Sequence, residues 1–359
     1  MQTRIIRLSL ALSQNFADPY GAAGFWENTM SDKADRERRR LGRNGPEVLA
    51  VGLGCMSLSG TYGTSDDDAA VAFLQRAIDL GVDFLDSSDA YGLGQNEEVL
   101  GRALKGRRDR VVLATKFGQD RRSGGVNGRP EYVQQACEAS LQRLGVDVID
   151  LYYQHRVDPN VPVEDTVGAM SRLVEQGKVR FLGLCEARPE RIRRAHAVHP
   201  IAAVQSEFSL LYREVADETR ATTRDLGIAF VPYSPLGRSL LAGVIPDFAN
   251  LSEGDTRRRH PRFEGENFQK NRALVERVEA IAADKECTVA QLSLAWLLAQ
   301  GPDVIPIPGT KRIERVEENL AALDVRLTQE DIDGIAEAVP AGAAAGLRYP
   351  EGGMKGVFI

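Results

Sequence analysis

Short apolar runs alternate with stretches of helical periodicity along most of this chain. Runs at 51–55, 82–86, 111–116, 148–154, 180–185, 202–206, 228–233 and 304–307 are brief and nearly continuous in apolar character. Runs of that kind read as strands buried on both faces of a parallel sheet. Between them, 66–80, 95–105, 130–144, 163–176, 189–198 and 216–226 read as helices, followed by 271–286, 288–300, 312–323 and 328–338. Val71, Leu74 and Ile78 recur at helical spacing behind an Asp-rich entry that suits a helix N-terminus. Pro130 falls in a first turn, Gly177 and Gly227 stand at helix stops, and Thr328 is placed to cap. Asn44-Gly45 suits a tight hairpin turn, here expected to cap a barrel floor.

Strand–helix units that repeat without a Pro, Gly or Ser linker predict one α/β domain, a (β/α)8 TIM barrel with an N-terminal β-hairpin and extra C-terminal helices. An open doubly wound sheet is the competing arrangement. Its dinucleotide fingerprint is not met, because Gly52-Leu53-Gly54 is followed by Ser57 where a third glycine belongs. The expected division is a leader at 1–38, the barrel at 39–345 and a tail at 346–359. Met30 offers a second start, so residues 1–29 are expected to be an extension outside the fold. The irregular segment at 237–270 is long enough to be a functional lid.

Composition narrows the function classes. The 359 residues are 43% hydrophobic and 27% charged, with a net charge of −6, which is ordinary globular composition and a poor match to nucleic acid. Basic runs at 36–40, 191–194 and 257–259 read as solvated faces. No run reaches the roughly 18–20 apolar residues of a membrane span. The four cysteines are widely spaced without a Cys-x-x-Cys pair, and there are four histidines, so no metal site is expected. Scattered thiols fit a reducing, cytoplasmic setting. Oligomeric state stays open.

Four polar residues stand where apolar runs end or just after: Asp86, Tyr91, Lys116 and His155. In a parallel barrel the C-terminal strand ends carry the chemistry. A carboxylate, a phenol, an ammonium and an imidazole gathered there make an acid for a carbonyl oxygen. A free phenol has a pKa near 10, and an adjacent ammonium lowers it. Asp86 would hold Lys116 as an ion pair, and His155 would orient the substrate oxygen. The plainer alternative is a structural Asp–Lys pair beside a buried Tyr and His.

Longer motifs carry a resemblance. Asp86-Ser87-Ser88-Asp89-Ala90-Tyr91-Gly92 with Asn96-Glu97, Asp150-Leu151-Tyr152-Tyr153-Gln154-His155, Gly183-Leu184-Cys185-Glu186, Gln205-Ser206-Glu207, Tyr233-Ser234-Pro235-Leu236-Gly237 and Ile305-Pro306-Ile307-Pro308-Gly309-Thr310-Lys311 follow one another in order. Together they resemble the aldo-keto reductase family, in its NADPH-dependent perakine reductase-like and auxin-induced-protein-like branch, from about residue 39 to 345. The resemblance implies hydride transfer between NADPH and an aldehyde or ketone, with Tyr91 as the acid supported by Lys116, Asp86 and His155. It implies that Tyr233 stacks on the nicotinamide, that Gln205 and the position of Cys185 serve the carboxamide, and that Ser234, Leu236 and Gly237 line the pyrophosphate. Arg238 either reaches the pyrophosphate or points to solvent. Gly309, Thr310, Lys311 and Arg315 match the adenosine end, where Lys311 and Arg315 suit a 2′-phosphate. Glu318 and Asn319 match the adenine contacts.

The chain departs from the pattern at two places. Cys185 stands where Ser is usual, which either loosens nicotinamide binding and invites oxidation or is an isosteric swap. Phe208 stands where Tyr is common. Met56, Tyr62, Phe117, Tyr212 and the loop at 121–128 are expected at the substrate mouth, and Trp296 in the core. Two other functions stand beside reduction: a cofactor-binding regulatory subunit with little turnover, and an aldolase using Lys116 as a Schiff base. Asp86 raises the Lys116 pKa and so disfavours the latter.

Overall fold

The structure, a computed structural model, describes residues 36–120, 125–243 and 251–358. The expected leader before Arg36, with Trp26, and parts of the loops at 121–128 and 237–270 lie outside the described residues.

The chain opens with an antiparallel hairpin, β1 (Arg38–Arg40) and β2 (Glu47–Leu49), in which Arg39 faces Val48. Its turn delivers Leu41 beside Val48, and both pack with Phe84, Leu151, Tyr153 and Ile305 in the barrel interior. The hairpin is therefore an apolar plug for the barrel floor. Then follow β3 (Leu53–Gly54), α1 (Asp67–Asp79), β4 (Phe84–Asp86), α2 (Gln95–Ala103) and β5 (Val112–Phe117). A small ribbon, β6 (Gln119–Asp120) and β7 (Gly125–Val126), precedes α3 (Pro130–Leu144), β8 (Ile149–Gln154), α4 (Val163–Glu175) and β9 (Val179–Cys185). Next come α5 (Pro189–Val198), β10 (Ile201–Glu207), α6 (Ala216–Leu226) and β11 (Ala229–Tyr233). The last helices are α7 (Gly265–Asp284), α8 (Val289–Leu298), α9 (Ile313–Ala321), α10 (Gln329–Ala338) and the short α11 (Glu351–Met354).

Seven strands make one parallel sheet in the order β3-β4-β5-β8-β9-β10-β11. Residues 304–308 close it into a barrel. Ile305 N and Ile307 N donate to Phe230 O and Pro232 O on one side, while Pro306 O and Pro308 O accept from Gly52 N and Gly54 N on the other. Pro306 and Pro308 have no N–H, so the seam toward β3 keeps only half its ladder. That is why this eighth segment carries bridges rather than a regular strand. Glycine makes the seam possible: a Cβ on Gly54 would lie 2.9 Å from Ile307 O.

The helix ends follow local chemistry. Asp66 accepts from Ala69 N at 2.7 Å, and Thr328 and Asp331 form a reciprocal box at the start of α10. Helix α8 is buried on every side, as its unbroken apolar sequence requires, between α7 and α9. Trp296 on this helix lies 5.3 Å from Phe208, and Phe208 also meets Phe230. Phe208 is thus a core residue, and the missing hydroxyl costs the site nothing.

Candidate active site

Asp86 ends β4 and Lys116 lies next to last in β5, so parallel pairing brings both to the same rim of the barrel. The Lys116 ammonium pairs with the Asp86 carboxylate and donates to Ser87 O at 2.7 Å. It also lies 3.4 Å from the Tyr91 hydroxyl. His155, just past β8, meets the Tyr91 ring edge-on with centroids 5.8 Å apart. All four side chains are buried, Lys116 wholly so. The structure therefore brings together the four residues picked from the sequence.

The loop carrying Tyr91 is fixed from behind. Ser87 Oγ donates to Asn96 Oδ1 at 2.6 Å, and Asn96 Nδ2 reaches Cys55 O and Ser59 Oγ. Glu97, fully buried on α2, accepts from Thr115 Oγ1 at 2.6 Å and from Arg143 at 2.7 Å. Asn96 and Glu97 thus clamp the strand ends of β4 and β5 together. Beyond Tyr91 the backbone turns left-handed at Gly92, Leu93 and Gly94, with φ of 59°, 56° and 100°. Two of the three are glycines, which adopt that conformation without strain.

Electrostatics corrects one sequence expectation. Burial pushes the Tyr91 phenol up to about 12, and the opposing pull of Lys116 does not overcome it. The Asp86 carboxylate paired with the ammonium works against that pull. Tyr91 is therefore a protonated donor at neutral pH. Burial pulls the Lys116 pKa down, but Asp86 and its other neighbours raise it on balance. The charged pair is the state this geometry supports, because Gln205 Nε2 also donates to Asp86 Oδ2 at 2.9 Å.

A groove leaves this cluster and runs along the rim. Asp86, Tyr91, Gln205 and Tyr233 line one end, Ser234, Leu236 and Arg238 the middle, and Gly309, Thr310, Arg315, Glu318 and Asn319 the other. Ser57 also lines it, with a buried hydroxyl that has no hydrogen-bond partner, while the buried Arg238 Nη2 lies 3.6 Å from Glu207 Oε2. The turn after β11 holds Ser234, Arg238 and Ser239 at positive φ, a conformation these residues rarely take. The far side of the groove is bridged by Arg257, whose guanidinium covers Tyr62 and donates to Ser239 Oγ.

Three residues expected at the cofactor do not line this groove. Lys311 donates to Tyr62 O and Thr64 O and does not line the groove, whereas its neighbour Arg312 does. Gly237 is buried inside the turn. Cys185 is buried behind the rim, and burial raises its thiol to about 12, so no reactive thiolate is present. Phe117, expected at the mouth, is instead fully buried and stacked on Tyr152 at 4.9 Å.

Residues the sequence did not flag complete the mouth. Arg348 is buried and pairs with Glu186, while Tyr349 Oη lies 3.0 Å from Tyr233 Oη. Arg238 lies over the Tyr349 ring at 4.8 Å. Arg238, Arg262 and Arg348 surround Glu207 at 3.6–3.7 Å. Lone arginines on irregular segments carry no periodic signal that could have revealed this.

The sequence model described as "Aldo/keto reductase family" matches residues 50–340. The chain belongs to the aldo/keto reductase family. It is 47% identical over 320 residues to "Probable aldo-keto reductase 1" of Glycine max, covering 87% of this chain and 92% of that one. Among solved structures it resembles a glycerol dehydrogenase of Gluconobacter oxydans, with a TM-score of 0.76 at 28% identity over 84% of this chain and 96% of the other. It also resembles an aldo-keto reductase of Bacillus halodurans in its holo form, with a TM-score of 0.72 at 27% identity over 86% and 97%.

As an aldo/keto reductase the protein is a pyridine-nucleotide-dependent carbonyl oxidoreductase acting on small molecules. No helix among the described residues is long and apolar enough to cross a membrane. Nor do three His, Cys, Asp or Glu side chains gather there as a metal site.

Proposed function

We propose that this aldo/keto reductase reduces aldehydes or ketones with NADPH, using Tyr91 as the general acid. The observation that carries this reading is the Tyr91 hydroxyl, 3.4 Å from the Lys116 ammonium at the inner end of the groove. When bound, the reduced nicotinamide supplies the hydride. As negative charge grows on the carbonyl oxygen, Tyr91 gives it the phenolic proton, and the ammonium stabilises the phenolate left behind. A developing alkoxide is a far stronger base than a phenolate, so a phenol near 12 remains a competent donor. Asp86 keeps the ammonium in place, and His155 offers an imidazole N–H to the same oxygen.

The donor set of the groove fits a dinucleotide. Ser57 presents a hydroxyl without a hydrogen-bond partner along it, Ser234 supplies a hydroxyl on a left-handed turn, and Arg312 and Arg315, the latter paired with Glu318, place two guanidiniums at the outer end. Two guanidiniums there favour the 2′-phosphate of NADPH over the bare ribose of NADH. Free thiols at Cys55, Cys137, Cys185 and Cys287 agree with a reducing, cytoplasmic setting.

Fluorescence titration with NADPH and NADH, followed by a panel of aldehydes and ketones, tests this reading. Tighter NADPH binding with turnover supports it. Tight NADPH binding with negligible turnover across the panel would point to a cofactor-binding regulatory subunit instead.

A further inference from the structure

Lys116 has a second tyrosine beside it, Tyr153, that the proposed reaction leaves unused. The ammonium lies 5.1 Å from the centroid of the Tyr91 ring and 5.9 Å from that of the Tyr153 ring. An ammonium has three hydrogens to give. Here its acceptors are the Asp86 carboxylate, Ser87 O at 2.7 Å and the Tyr91 hydroxyl at 3.4 Å. Tyr153 shares no hydrogen bond with it, so what Tyr153 offers is its ring face. A ring centroid within about 6 Å attracts a cation through the ring quadrupole, more strongly where water is excluded. Lys116 and Tyr153 are both wholly buried.

The barrel interior is shaped to hold that ring. Lys116 of β5 pairs in register with Tyr153 of β8, and Tyr153 with Gly183 of β9. Gly183 in turn pairs with Ala203 of β10, and Ala203 with Ala229 of β11. Residues paired in register point to the same face of a sheet. That face is the interior, where Tyr153, Ala203 and Ala229 pack in one cluster. One large ring thus fills the space that a glycine and two alanines leave open. The fit is close, since a Cβ on Gly183 would lie 2.3 and 2.5 Å from two carbons of the Tyr153 ring. The ring is therefore held from the β9 side and stays beside Lys116.

Tyr153 is not a second acid. It does not line the groove, and its buried hydroxyl has no hydrogen-bond partner among the described residues. Burial, then Asp86 and Cys185, hold this phenol well above its ordinary pKa, and the nearby Gln205 amide only partly offsets them.

We propose that Tyr153 is a positioning residue for proton transfer, its ring face stabilising the Lys116 ammonium that balances the phenolate charge of Tyr91. The inference rests on the roles given to Tyr91 and Lys116 above, and Tyr153 acts only through Lys116. The two partners of the ammonium differ in kind. Asp86 stabilises the cation but sets a full negative charge near the nascent phenolate. A neutral ring face stabilises the same cation without that opposing charge.

A fluorination series at position 153 tests this while keeping the shape of the core. Tyr153→Phe retains the ring and removes only the hydroxyl. Phenylalanines carrying one, two and three fluorines at the same position weaken the ring face in steps. Each variant is measured in two ways: thermal unfolding, with Lys116 present and in a Lys116→Met background, and single-turnover reduction of an aldehyde by protein preloaded with NADPH. Tyr153→Phe should reduce at a rate within about twofold of the native protein. Across the fluorinated series the rate should fall by about three- to tenfold, with NADPH affinity unchanged. Unfolding midpoints should fall in the same order with Lys116 present and stay level in Lys116→Met, because the cation is gone. Midpoints that respond alike in both backgrounds, or in neither, would overturn the contact. Steps in the midpoint without steps in the rate would leave the contact standing and overturn its part in the reaction. If Lys116→Met does not fold, the rate series at constant NADPH affinity decides alone. Failure of the acid assignment shows separately, as a Tyr91→Phe rate equal to the native one.

Discussion

Arg348 holds Glu186 through both terminal guanidinium nitrogens, at 2.9 and 2.6 Å, where each side chain is only 2% exposed. Glu186 immediately follows β9 and has φ of 54°, so the pair ties a strained turn to the residues that cross the barrel mouth. Arg348→Ala would leave a buried carboxylate without its partner. Loss of one member of such a pair costs about 3–5 kcal/mol. Urea unfolding should show a loss of that order, and a loss within error of zero would mean that water replaces Arg348.

The same pair has a pH signature. Arg348 keeps the Glu186 carboxyl below its ordinary range although burial opposes it. A depressed folded pKa means stability that is complete above the unfolded value of about 4.3 and lost as pH falls through the folded value. The stability gap between the native protein and Arg348→Ala should therefore narrow as pH falls from about 5 to about 3. A gap that stays constant over that interval would show that Glu186 does not titrate through Arg348.

Removing the outer guanidiniums should discriminate between cofactors. Arg312→Ala with Arg315→Ala is expected to weaken NADPH binding by about 10- to 100-fold, the size of one or two charge-assisted hydrogen bonds. NADH binding should change little. Lys311→Ala should be mild, because its ammonium is engaged with Tyr62 O and Thr64 O. Equal losses for the two nucleotides would place 2′-phosphate recognition elsewhere.

The barrel seam offers a test of the fold. Gly54→Ala places a methyl group against Ile307 O, which is backbone and cannot swing aside. Overpacking of this kind costs about 1–3 kcal/mol. Thermal unfolding should shift accordingly, and an unchanged midpoint would mean that the seam between β3 and residues 304–308 is slack.

Much of this was legible in the sequence because it is periodic or local. Apolar runs such as 148–154 gave strand β8, and Gly177 and Gly227 marked the residues that follow α4 and α6. The four residues at or beyond strand ends were readable because parallel strands deliver their C-terminal residues to one rim. Helix α7 begins at Gly265, ahead of the expected 271, because residues 265–270 offer a single apolar side chain, Phe268, too little to show helical spacing. The acidity of Tyr91 was misjudged because sequence reveals the nearby ammonium but not how completely Asp86 and burial offset it. Lys311 and Arg312 are adjacent cations, and only the local path of the chain decides which one faces the groove. Arg348 and Tyr349 were missed because the contacts that matter, to Glu186 and Tyr233, span 162 and 116 residues.

The central claim is that the Tyr91 hydroxyl delivers the proton to the carbonyl oxygen. It is tested most directly by single-turnover reduction of an aldehyde by Tyr91→Phe preloaded with NADPH, followed by loss of nicotinamide absorbance. The account predicts NADPH affinity close to that of the native protein and a hydride-transfer rate lower by about 10²–10⁴-fold. A rate equal to that of the native protein would contradict it.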